Sequence, residues 1–194
     1  MLLQKSIRFD NIMENDKVIL VSEHDDMAGI MDKIEAHKQG LLHRAFSIFI
    51  FNAKGEMLLQ QRALNKYHSG GLWTNACCSH PMPGEKTKDA AQRRLMEELG
   101  FETPVEKIFD FVYKASFDNG LTEHEFDHVF AGEYEGPLNV NPDEVKDFCY
   151  KEISEIKNTL QTHSQKYTAW FRLAFPKIEE WWKDRYADST VEAE

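Results

Sequence analysis

The chain has 194 residues, 42% of them hydrophobic, and a formal net charge of −10 from 33 acidic and 23 basic side chains. That balance suits one globular domain with a sizeable core and excludes a disordered chain. The negative charge argues against a broad nucleic-acid or anionic-membrane surface, so an anionic ligand requires a local basic cluster.

Residues 1–16 read as a polar leader. Lys17–Ser22 has the pattern of a first strand, and Asp26–Gln39 reads as a short helix or a loop. Arg44–Phe51 is apolar on both alternating faces and is expected to be a central strand. Asn52-Ala53-Lys54-Gly55 is a turn, and Glu56–Arg62 returns from it to give a hairpin. Lys88–Leu99 is a helix with Thr87 as N-cap, Gly100 as its stop, and Ala91, Leu95 and Leu99 as its buried stripe. Lys107–Phe117 and Thr122–Glu133 are strands joined by Asp118-Asn119-Gly120. Asp147–Glu152 is a shorter strand, and a helix follows from Ser154. Tyr167–Tyr186 is a last helix, interrupted at Pro176, and Ala187–Glu194 is an acidic tail. Helices and a mixed sheet without strict βαβ order give an α/β (α+β) sandwich, one domain over 17–186.

Three cysteines are present, Cys77, Cys78 and Cys149. Two are adjacent, which suits a disulfide poorly, and the set points to a reducing compartment. Met1-Leu2-Leu3 runs at once into Gln4 and Lys5, so no signal-peptide core is present. No apolar run approaches the roughly 20 residues of a membrane span. The expected location is the cytoplasm.

The chemistry concentrates between Trp73 and Gly100. Arg93-Arg94-Leu95-Met96-Glu97-Glu98-Leu99-Gly100-Phe101 resembles the end of the Nudix box, whose carboxylates hold a divalent cation against diphosphate oxygens. Counting back places Glu97 and Glu98 on the paired glutamates, Arg93 on the arginine and Glu85 on the first glutamate. Ser79 stands at the opening glycine, and Arg94 replaces the glutamate after the arginine. That exchange weakens a multi-metal hydrolytic site and adds a phosphate donor. Arg93–Glu97 and Arg94–Glu98 equally suit i,i+4 surface pairs.

Elsewhere, alternation puts Glu123 and Glu125 on one strand face, and Cys78 and His80 share a face if extended. With His37 and His43 these residues supply imidazoles and carboxylates suited to a divalent metal such as Mg²⁺, Mn²⁺ or Zn²⁺. Spacing alone does not bring them together. Lys33, Arg62 and Lys66 are basic residues in an acidic chain. Trp170, Phe171, Trp181 and Trp182 in the last helix are as readily core as binding surface.

Five motifs occur in order: His37; Leu41-Leu42-His43-Arg44-Ala45-Phe46-Ser47; Gln61-Arg62-Ala63-Leu64-Asn65-Lys66; Trp73–Pro81 with the Arg93–Gly100 helix; and Glu123-His124-Glu125. From Val18 to Trp182 the chain resembles the type I isopentenyl-diphosphate Δ-isomerases of the Nudix superfamily. The resemblance implies a Nudix-type mixed sheet between helices and transposition of a carbon–carbon double bond. It implies that His37, His43, His80, Glu123 and Glu125 hold one metal. Glu98, helped by the Cys78 main chain, would hold the Mg²⁺ that accompanies the diphosphate. Lys33, Arg62, Lys66 and Arg94 would contact that diphosphate. Cys78 and Glu125 would be the catalytic pair, with Tyr113 supporting Glu125 and Trp170 facing the hydrocarbon. The implied partner is a small isoprenyl diphosphate, with no nucleic acid or membrane and a monomer or homodimer. The rivals are a Nudix pyrophosphohydrolase acting on a nucleoside diphosphate derivative and a non-catalytic metal- or ligand-binding domain.

Overall fold

The structure, a computed structural model, describes residues 17–186. The expected leader and acidic tail lie outside the described residues. In chain order the strands are β1 (Lys17–Val21), β2 (Met27–Asp32), β3 (His43–Phe51), β4 (Met57–Arg62), β5 (Trp73–Thr74), β6 (Cys77–Ser79), β7 (Val105–Ser116), β8 (Thr122–Glu133) and β9 (Val145–Lys151). The helices are α1 (Lys33–Gln39), α2 (Thr87–Leu99), α3 (Ile153–His163) and α4 (Ala169–Tyr186). Among the described residues no helix is long and apolar enough to cross a membrane.

Strand β3 is the centre. It runs parallel to β8 from His43 opposite Glu125 to Phe51 opposite Glu133. Its other edge is shared by β1 at His43, β6 at Phe46–Ile48 and β4 at Phe51. The two-residue period explains its apolar run. Phe46, Ile48 and Ile50 pack with Ala91, Leu95 and Leu99 of α2. Phe49 and Phe51 pack with Ile156 of α3 and Phe171 and Ile178 of α4. A mixed sheet between α2 and the α3/α4 pair results, as expected.

Four local expectations are corrected. Asp26–Gln39 is neither one helix nor a loop: β2 pairs antiparallel with β1 before α1 begins. Main-chain pairing outweighs the helical preference of its Met and Ala residues. Asp32 then caps α1 by accepting from the Glu35 N–H at 3.0 Å. Thr87 is the first residue of α2 rather than its cap; Lys86 stands at the cap without a side-chain bond. The β3–β4 hairpin pairs only at Phe51–Met57 and then opens, because β6 takes the β3 edge and β5 and β9 take β4. Helix α4 continues through Pro176. Pro176 and Arg172 are both exposed, so water can serve the Arg172 carbonyl that the missing N–H leaves unpaired.

Candidate active site

The alternation that builds the core also aims the site. On β8, Glu123, Glu125 and Asp127 share the face of Val129 and Ala131, toward α4, while His124 turns away to the Gly40 carbonyl at 2.9 Å. On β6, Cys77 is wholly buried against α2, and Cys78 faces the α4 side. At one end of the sheet these side chains meet α1, the loop after β4 and the N-terminal turn of α4. The resulting cleft is open on one side, with a volume of about 300 Å³, the small end of ligand pockets.

Beneath it, His37, His43, His80, Glu123 and Glu125 each bring one ligand atom to within 4.8 Å of all the others. His37 Nδ1 is spent on the Lys33 carbonyl at 2.6 Å and His43 Nδ1 on the Leu41 carbonyl at 2.8 Å, so Nε2 of both faces inward. His37 Nε2 lies 3.1 Å from Glu123 Oε2, and His80 Nε2 lies 2.9 Å from Glu125 Oε1. Among the described residues, the buried Nε2 atoms of His37 and His43 and Oε2 of Glu123 have no aligned hydrogen-bond partner. Orphaned buried lone pairs are costly unless something shares them, and three imidazoles with two carboxylates fit a divalent metal. Burial opposes the charge on Glu123, but His37 and His68 outweigh it and hold the carboxyl well below the usual range. Burial pushes His80 down to about 4 against the pull of Glu125.

Above the cluster, Tyr113 lies opposite Glu125 in the β7–β8 register, and its hydroxyl donates to Glu125 Oε2 at 2.6 Å. Cys78 sits in a net of polar groups. Its thiol donates to Asn75 Oδ1 at 3.0 Å and receives the Trp170 indole N–H at 2.9 Å. Asn75 cannot reverse roles, because its amide donates to the carbonyls of Ile48 (3.1 Å) and Cys77 (2.8 Å). Burial and then the Asp127 carboxylate push the Cys78 thiol up to about 12, so the sulfur keeps its proton at neutral pH. Asp127 is itself pushed well up by burial and by Glu125, and it accepts from Ser47 at 2.8 Å.

Lys33, Arg62, Lys66 and Arg94 line the cleft rim with Glu98. Arg62 lies over the Trp170 ring, 5.2 Å from its centroid. Arg94 reaches Glu98 at 2.6 Å and Glu97 at 2.7 Å, so the expected i,i+4 pair exists and faces the cleft. Glu85 and Glu97 do not reach the site. Glu85 takes Arg93 at 2.8 and 2.9 Å, and Glu97 takes Arg93 and Arg94. Of the box carboxylates only Glu98 lines the cleft.

The residues that the resemblance assigns to catalysis, diphosphate and metal all lie in this cleft or in the cluster beneath it. Three neighbours went unread. His68 puts Nε2 2.6 Å from Glu123 Oε1 and stacks on Phe117. Asn75 orients the thiol. Glu144 pairs with Lys66 and lies 3.2 Å from Arg94 Nη2. Burial raises the Glu144 pKa, but Lys66 and Arg94 lower it further, so it is held below the usual carboxylate range. Both His68 and Glu144 stand in irregular turns, where no periodicity marks a face.

A NUDIX domain family matches residues 41–171. Over 167 residues the chain is 48% identical to an isopentenyl-diphosphate Delta-isomerase of Pectobacterium atrosepticum, covering 86% of this chain and 93% of that protein. It is 47% identical to isopentenyl-diphosphate Delta-isomerase 2 of Aromatoleum aromaticum, covering 84% and 86% of the two chains. Among solved structures, DR0079 of Deinococcus radiodurans superposes with a TM-score of 0.63 at 16% identity, covering 76% of this chain and 90% of the other. A MutT protein from Methanosarcina mazei gives 0.60 at 20% identity, covering 72% and 94%. At such identities these two likenesses speak for the fold.

Proposed function

The chain belongs to the Nudix family and, within it, to the isopentenyl-diphosphate Delta-isomerases, and on that premise we propose how residues 17–186 carry out the reaction. The enzyme interconverts isopentenyl and dimethylallyl diphosphate. One carbon of the alkene gains a proton, a tertiary carbocation-like species forms, and a different carbon loses a proton. No redox partner is needed.

The observation that carries the residue assignments is the convergence of a thiol bonded to Asn75 and a tyrosine-bonded carboxyl on one cleft rimmed by basic side chains. Cys78 and Glu125 are the pair that delivers and removes the protons. Tyr113 fixes the orientation of Glu125 through Oε2. Asn75 and Trp170 fix the orientation of the Cys78 sulfur, and a positioned acid of this kind contributes about 10²–10⁴-fold. Trp170 also presents its ring to the cleft, where a π face stabilises a desolvated cation by about 2 kcal/mol or more. Lys33, Arg62, Lys66 and Arg94 hold the diphosphate and leave the hydrocarbon toward Cys78 and Trp170. Excluding water there protects the cation from capture as an alcohol.

His37, His43, His80, Glu123 and Glu125 are the proposed ligands of one divalent metal, Mg²⁺, Mn²⁺ or Zn²⁺. Glu98, with the Cys78 main chain, is the proposed holder of the Mg²⁺ that arrives with the diphosphate. Bound divalent ions would supply positive charge that favours ionised carboxyls and offsets the diphosphate oxygens. The pyrophosphohydrolase alternative has less support, because Glu85 and Glu97 are engaged by arginines and Arg94 fills a third carboxylate position.

Incubation with isopentenyl diphosphate and Mg²⁺, followed by separation of the two isomers, tests the reading. Conversion with no phosphate released from nucleoside diphosphate derivatives is expected. The reverse pattern would favour the hydrolase.

A further inference from the structure

Glu144 has no part in the roles assigned above, yet the fold delivers it to the diphosphate rim with care. It closes the turn Asn141-Pro142-Asp143-Glu144 that leads into β9. That turn is fastened to the end of α2: the Asn139 N–H donates to the Leu99 carbonyl at 3.0 Å and the Asn141 N–H to the Glu98 carbonyl at 2.8 Å. The N–H groups of Glu144 and Val145 fold back onto the Asn141 carbonyl, and the Glu144 carbonyl accepts from the Ala63 N–H at 3.0 Å. Main-chain bonds therefore join the α2 end, the segment after β4 and this turn without help from the Glu144 side chain.

That side chain points inward, 21% exposed. Lys66 Nζ contacts its Oε2. Arg94 Nη2 lies 3.2 Å from its Oε1 and 2.6 Å from Glu98 Oε1, so two carboxylates share one guanidinium nitrogen. Lys66 and Arg94, both assigned to the diphosphate, are thus already paired with carboxylates. A polyanion approaching Lys66 and Arg94 also approaches Glu98 and Glu144, in a half-enclosed site where repulsion is poorly screened. A divalent cation arriving with it cancels that repulsion.

We propose that Glu144 is the internal counter-anion of the diphosphate rim, holding Lys66 and Arg94 in place and making tight binding conditional on an accompanying divalent cation. This rests on the assignment of Lys66 and Arg94 to the diphosphate. It differs from a purely structural role, in which loss of Glu144 would weaken binding whether or not a cation is present.

The test is calorimetric titration with inorganic pyrophosphate, using protein whose His/Glu cluster is metal-loaded and Mg²⁺ that is either withheld or in excess. Wild type is expected to bind tightly only with Mg²⁺. Glu144→Gln keeps the shape and a hydrogen-bond acceptor, and is expected to bind Mg²⁺-free pyrophosphate about tenfold tighter than wild type. The ratio of its two affinities shrinks accordingly, whereas Glu144→Asp keeps the wild-type ratio. An unchanged ratio in Glu144→Gln, or equal weakening in both conditions, overturns the role of Glu144 alone. Failure of wild type to bind even with Mg²⁺ overturns the diphosphate assignment and this inference with it.

Discussion

At the scale of single residues, Cys78 is governed by the atoms that touch its sulfur. Asn75 Oδ1, at 3.0 Å, can only accept from it, and the Trp170 indole, at 2.9 Å, can only donate to it, so the thiol proton is aimed at Asn75. Cys78→Ala and Glu125→Gln are each expected to lower kcat by about 10²–10⁴-fold or more, with far-UV circular dichroism unchanged. Near-wild-type turnover in either variant would sink the catalytic pair. Pattern alone marked two pairs: alternation put Glu123 beside Glu125 and Cys78 beside His80, while the other site residues came from the resemblance. His68 and Glu144 were illegible because each acts through a turn whose partner lies far along the chain, His68 at Glu123 and Glu144 at Arg94.

At the scale of elements, α2 does two jobs, and each has its own test. Its end is fixed by Gly100 at φ +73°, where an added Cβ would stand 2.5 Å from the Asn139 carbonyl oxygen. Gly100→Ala is expected to cost about 1–3 kcal/mol in urea unfolding, from left-handed strain and the displaced turn. An unaltered midpoint would deny the close approach. Its start is tied to the preceding loop by Glu85, which accepts both Arg93 and the Met82 N–H. Burial opposes ionised Glu85, but Arg93 and the Met82 N–H prevail and lower its pKa from the ordinary 4.5. A carboxyl lowered by folding stabilises fully above its unfolded pKa and is lost as pH falls through the folded value. A Glu85→Gln/Arg93→Met double-mutant cycle is therefore expected to give about 0.5–1 kcal/mol of coupling at pH 7, fading below about pH 4.5. Coupling that persists at pH 3 would contradict the ion pair. The helix and Gly100 were readable from apolar spacing and the stop signal. The short strands β5 and β6 were not, because two or three residues carry no period and their pairing depends on distant β4 and β3.

At the scale of the whole molecule, β3 was readable as central because both its faces are apolar, but its neighbours were not. The parallel partner β8 and the edge shared among β1, β6 and β4 depend on contacts across the chain, which local pattern does not encode. That arrangement concentrates the imidazoles and carboxylates of the cluster beneath the cleft. Stripping divalent metal is expected to lower the melting temperature, and restoring it at about a hundredfold over Kd would return about 2.7 kcal/mol. Identical melting with and without metal would contradict the cluster's assignment. The most direct measurement is proton NMR of isopentenyl diphosphate with metal-loaded protein and Mg²⁺ in D₂O. The expected result is dimethylallyl signals with solvent deuterium in the newly formed methyl group, absent in Cys78→Ala. Unchanged substrate with folded, metal-loaded wild-type protein would contradict the isomerase.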